Sequence, residues 1–74
     1  MPFSRPEAFA ARLNTCLDAA HVSQLELARR TGLTPCQINH FCCGRRLPSL
    51  RNFSKICRSL PGVDPRYLMG LKEP

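Results

Sequence analysis

Cys36, His40 and Cys43 recur at i, i+4 and i+7. On a helix this spacing lines two thiols and an imidazole along one face. That donor set is one zinc accepts. Arginines close by in the chain would favour the thiolate and make such a sulfur oxidisable. Three ligands from one short exposed helix do not close a structural site, so no metal ligand set and no cofactor is expected. Other reactive groups form no catalytic set. There is no Ser-His-Asp arrangement, no phosphate-cradling glycine loop and no pair of carboxylates. His21 and His40 have no nucleophile near them in the pattern except Cys36. The chain is therefore expected not to be an enzyme. Interleaved with the sulfurs are the amides Gln37 and Asn39, which present a donor and an acceptor side by side.

Charge around these residues is one-sided. The 74 residues carry eleven Lys and Arg against five Asp and Glu, a net charge of +6. Both ends balance to zero. Residues 24–58 hold Arg29, Arg30, Arg45, Arg46, Arg51, Lys55 and Arg58 against Glu26 alone, so all of the excess lies in the middle. A concentrated basic field attracts polyanions and steers their approach. Nucleic acid is the partner this pattern points to, against the plainer reading of a solvated basic face.

The length allows one small domain, 1–74, that buries only about 60% of its unfolded surface. Hydrophobic residues at 43% and charged residues at 22% suit a folded chain and not a disordered tail. No run approaches the ~18 apolar residues of a membrane span. The start, MPFSRPEAFAARL, lacks the layout of a secretion signal. A cytoplasmic, nucleoid-associated protein is expected, with no membrane partner. Five cysteines, an odd number and without a CxxC pair, argue against a secreted disulfide framework.

Five helices must position the residues above, and no segment alternates with the period of a strand. The first is expected from near Ser4 to near His21, with Pro6 in its first turn. Its apolar face is Phe9, Leu13, Cys16, Leu17 and Ala20. Ser23 to Glu26 reads as a reciprocal capping box opening the second helix, and Gly32 ends that helix. Thr34, Pro35 and Gln37 form a second box opening the third, which runs to about Cys43 before Gly44. Ser49 caps the fourth, whose apolar residues are Leu50, Phe53, Ile56, Cys57 and Leu60. Asp64-Pro65 starts a short fifth.

Helices two and three are separated only by Thr31-Gly32-Leu33, a helix-turn-helix over about residues 23–43 in which Ala28 must be small and Gly32 permits the sharp turn. Residues 24–41, QLELARRTGLTPCQINHF, followed by Gly44-Arg45-Arg46-Leu47-Pro48-Ser49-Leu50, resemble the phage Cro/repressor-type (XRE) helix-turn-helix family. The likeness covers about residues 9–71. Leu25 stands where that family commonly has a polar residue. Cys42 stands where it usually has Glu, which removes a polar anchor for the loop after helix three.

The resemblance implies an all-α fold, a compact five-helix lambda-repressor-like DNA-binding domain. It implies a small Cro-like transcriptional regulator that represses at a palindromic operator as a homodimer, bacterial or phage-encoded. With no ligand-sensing domain, its own concentration would set its action, and no small-molecule ligand is expected. Helix three would enter the major groove. At about 100° per residue, Ile38, Phe41 and Cys42 fall on one side of it, and Cys36, His40 and Cys43 on the other beside Asn39. The resemblance assigns base contacts to Pro35, Cys36, Asn39 and His40. Gln37 joins them if it turns toward the groove rather than serving only as a cap. Phosphate contacts would come from Gln24, Thr34, Cys43, Arg45, Arg46 and Ser49. Tyr67, Leu68, Met69 and Leu71 would form the dimer surface. The alternatives are an antitoxin-like or accessory module that grips a protein as well as DNA, and a thiol- or metal-responsive regulator.

Overall fold

Each helix begins just after a residue with extended backbone. In the computed structural model, which describes residues 5–71, these starts define α1 (Pro6–Ala20), α2 (Gln24–Thr31), α3 (Pro35–Cys42), α4 (Leu50–Ser59) and α5 (Pro65–Met69). No strand occurs among the described residues. Ser23 Oγ accepts from the Glu26 N–H at 3.0 Å, Thr34 Oγ1 from Gln37 at 3.1 Å and Ser49 Oγ from Asn52 at 3.2 Å. Each hydroxyl satisfies one orphan donor of a first turn. Asp64 does the same for α5. α1 starts at Pro6 after Arg5, which provides no side-chain cap. Ser4, the expected start, lies outside the described residues.

The expected boxes diverge. Thr34 and Gln37 close theirs reciprocally. The Glu26 carboxylate does not return to Ser23. It is held instead by Arg29 at 3.1 Å and Arg30 at 3.0 Å. Two cations within one turn outcompete a single neutral N–H for the same carboxylate.

Packing follows from the apolar faces. α1 lies against α3 and α5, and α2 against α3 and α4. One core joins them, with Phe9, Leu13, Leu27, Ile38, Ile56, Leu60 and Leu68 fully buried. The Phe9 and Phe53 rings meet at 6.3 Å with a 53° tilt. Burial of each such side chain contributes about 1.5–3 kcal/mol. Ala28 is buried at the helix-turn-helix crossing, and Gly32 takes φ +76° to make the turn. Thr31 is a buried polar residue. Its hydroxyl donates to the Leu27 carbonyl at 2.8 Å and accepts from the Leu33 N–H at 3.3 Å. Two expected core residues lie outside: Ala20 is exposed, and Leu50, the first residue of α4, is 64% exposed. At about 100° per residue, Leu50 lies roughly 90° round the helix from the direction in which Phe53 and Ile56 enter the core.

Candidate nucleic-acid interface

α3 is held at both ends, and by different means. At its start the Thr34–Gln37 box fixes the first turn. At its end the Arg45 N–H returns to the His40 carbonyl at 3.0 Å around Gly44, whose φ is +79°. α1 supplies the outside support. Asn14 Nδ2 donates to the Cys42 carbonyl at 3.0 Å. Gly44 lies so close to α1 that a Cβ there would be 3.2 Å from Glu7 Cα. These contacts anchor the loop in place of the side chain that Cys42 lacks. Cys42 itself is buried, and burial, aided by neighbouring Cys43, pushes its thiol up to about 11. It is a core residue that keeps its proton at neutral pH.

With Ile38, Phe41 and Cys42 buried, the opposite side of α3 faces outward. Pro35, Cys36, Gln37, Asn39 and Cys43 are exposed, and His40 is half-buried. Several of the expected site residues are brought together. Asn39 Nδ2 donates to Gln24 Oε1 at 3.3 Å, linking the middle of α3 to the first residue of α2. This leaves Gln24 its own amide hydrogens, and Asn39 its oxygen and one hydrogen. Cys36 Sγ lies 3.8 Å from His40 Nε2. Gln37 is more committed: its Oε1 accepts from both the N–H and the hydroxyl of Thr34, at 3.1 and 3.2 Å. Only its Nε2 remains to reach outward, so in this conformation a two-point pairing with adenine is closed to it. Thr34 spends its hydroxyl in the same box.

Beside α3, a groove of about 300 Å³ separates it from the start of α4. Gln37, His40, Arg46 and Ser49 line it, together with Phe41, Leu47 and Asn52. Asn52 is absent from the sequence-based set. Its position three residues after the Ser49 cap was the available signal. Arg45 and Arg46 are exposed, and neither is ion-paired among the described residues. Arg29 and Arg30 differ from them. Both hold Glu26, and Arg30 also donates to the Ser59 carbonyl at 3.1 Å, closing the end of α4.

A family model described as Helix-turn-helix matches residues 8–68 of the chain. The chain belongs to the XRE-type helix-turn-helix family. The match takes in all of α2, the turn and α3, and with them the interface just described. No curated protein and no solved structure matches the chain significantly. This XRE-type protein carries a domain for sequence-specific DNA binding and transcription regulation. Among its described residues, no helix is long and apolar enough to cross a membrane.

The residues expected to pair two copies are dispersed in depth. Leu68 is fully buried in the core of its own chain and is not available to a partner. Tyr67 and Met69 are half-buried, and the Arg12 guanidinium lies 5.9 Å from the Tyr67 ring centre. Leu71 is 69% exposed. Neighbouring positions of a short helix point to different sides, so Leu68 turns into the core between Tyr67 and Met69.

Proposed function

We propose that this helix-turn-helix protein is a transcriptional repressor that binds an inverted-repeat operator in double-stranded DNA as a homodimer. The observation that carries the reading is the bond between Gln24 and Asn39 on the exposed side of α3. It pre-orients Asn39 Oδ1 and its second amide hydrogen for the N6 and N7 edge of an adenine. Gln24 Nε2 then donates to a phosphate. The same bond thus sets the register between backbone and base. Pro35 and Cys36 offer apolar contact to a thymine methyl, and His40 reaches a base edge or phosphate beside them. Arg46, Ser49 and the first N–H groups of α4 receive the next phosphate along the strand. Arg45 adds to the field, and Cys43 and Thr34 flank the path.

An inverted repeat would need two copies. The described chain is 27 Å in its longest extent. Successive major-groove half-sites lie about 34 Å apart. One copy therefore reads one half-site, and a second copy is needed for the other. Leu71, with the exposed parts of Tyr67 and Met69, is the surface offered for pairing.

The test is selection of bound sequences from a random duplex library at several salt concentrations under reducing conditions. An enriched inverted repeat with half-sites about one helical turn apart is expected. Asn39→Ala should cost about 1–3 kcal/mol on that site and little on random DNA. Binding without an enriched sequence, governed only by salt-sensitive attraction to phosphate, would refute the operator reading.

A further inference from the structure

The sulfur and imidazole on the outer face of α3 have a geometry that DNA reading does not require. Cys36 Sγ and His40 Nε2 stand 3.8 Å apart on one face, one turn from each other. Zinc binds thiolate at about 2.3 Å and imidazole nitrogen at about 2.0–2.1 Å. At a tetrahedral angle those bonds hold the two donors about 3.6 Å apart. Opening that angle by roughly 10° reaches the observed separation without moving the backbone. Cys36 is exposed and His40 half-buried, so water can fill the rest of the shell. Among the described residues, no group of three or more His, Cys, Asp and Glu is arranged to hold a metal ion. The site is a two-point chelate, open to exchange.

We propose that Cys36 and His40 form a reversible zinc-binding clip whose occupation lowers the sequence specificity of the domain. Binding proceeds with balanced charge and protons. The Cys36 S–H bond breaks and its proton passes to solvent, the thiolate pair and the Nε2 lone pair of neutral His40 each form one bond to Zn²⁺, and no electron is transferred. The effect on DNA rests on the proposed function: the hydrated ion sits between two base-reading residues and holds both away from base edges. The added net charge of one positive unit preserves attraction to phosphate. Specific affinity falls while non-specific affinity does not.

The site is tested first without DNA. Titration of the reduced full chain with Co²⁺, as a spectroscopic stand-in for Zn²⁺, should produce a thiolate-to-cobalt charge-transfer band. It should saturate at one ion per chain and be bleached by zinc. Cys36→Ser should abolish the band, and His40→Ala should weaken binding by more than about tenfold, at least what loss of an outer partner costs. Cys43→Ser should leave the band in place. No band in the wild type, a band that survives Cys36→Ser, or a band lost in Cys43→Ser would overturn the clip. The second arm compares each variant with itself, with and without zinc, on selected and on random duplex. The ratio of the two affinities should fall at least about fivefold in the wild type, the loss of one weak base contact. It should not change in Cys36→Ser. An unchanged wild-type ratio alongside a cobalt band would overturn the regulatory half. Absence of a preferred duplex would instead count against the operator reading, with the cobalt result still deciding the clip.

Discussion

Gly32 and Gly44 form a matched pair for testing how firmly α1 holds α3. Their φ angles are +76° and +79°. Alanine at either meets the same backbone penalty, about 1–2 kcal/mol. Their surroundings differ. A Cβ at position 32 would meet nothing within 4 Å, whereas one at position 44 would lie 3.2 Å from Glu7 Cα and 3.6 Å from Glu7 N. Backbone atoms cannot swing aside as the end of a long side chain can. Gly44→Ala must therefore push α1 away from the turn, an overpacking that costs about 1–3 kcal/mol more. The expected losses are about 1–2 kcal/mol for Gly32→Ala and about 2–5 kcal/mol for Gly44→Ala. A chain of this length has about 4–11 kcal/mol in total. Urea unfolding followed by circular dichroism measures both, provided the slope against denaturant is unchanged. Thermal unfolding should separate the two variants by at least about 4 °C. Equal losses would refute the reasoning, because they would show that the approach of Gly44 to Glu7 relaxes at no cost.

The arginines divide by what they already hold. Arg45→Ala or Arg46→Ala should weaken binding to specific and random DNA alike and lower the salt slope by about one unit. Arg30→Ala should leave the slope nearer the wild-type value and lower unfolding free energy instead, by about 0.5–1.5 kcal/mol, through loss of its bond to the Ser59 carbonyl. Salt titrations and urea melts of the three variants check both halves. Cys42 predicts a pH dependence. The ordinary thiol value is 9.0 and the folded one about 11, so the unfolded chain releases this proton first as pH rises. The stabilisation is complete below pH 9 and is lost as pH climbs toward 11, by up to about 2–3 kcal/mol. Cys16 and Cys57, also raised by burial, act in the same direction. Cys42→Ala should flatten the alkaline limb of unfolding free energy against pH without abolishing it. An unchanged limb would show that this thiol is not its source.

What could be read from the sequence was the short-range part. Caps at Ser23, Thr34, Ser49 and Asp64 act over two or three residues, and the apolar spacing of α3 repeats within one turn. Both are patterns in neighbouring letters, and the family likeness over residues 24–50 joined them into one fold. Contacts across the chain left no such trace. Asn14 reaches a carbonyl 28 residues away and Arg30 one 29 residues away. Neither side chain is distinctive in its own helix. Glu26 was misread because its local partner, the Ser23 N–H, competes with two cations that arrive only when α2 is formed. Leu50 and Leu68 show the limit of apolar content as a guide. One is apolar at a helix start that faces out, and the other is apolar in a terminal segment that folds in. In the candidate site, the exposed side of α3 was legible, but the pairings Gln24–Asn39 and Cys36–His40 and the groove between α3 and Asn52 were not.

Anchoring α3 through its ends and its buried side separates two kinds of information. The positions that fix the helix are Ile38, Phe41, the Cys42 carbonyl and Gly44. The positions turned outward are 36, 39 and 43, with 40 at the edge. Substitutions at the outward set remove little buried surface, so most carry small folding penalties. On the proposed reading, a lineage carrying this scaffold could exchange one operator for another by a few steps at those positions at little cost to the fold. Gln24, at the start of α2, is bonded to the outward set through Asn39. A change at position 39 therefore favours a matching change at 24, and co-variation of those two positions is the evolutionary signature this architecture should leave.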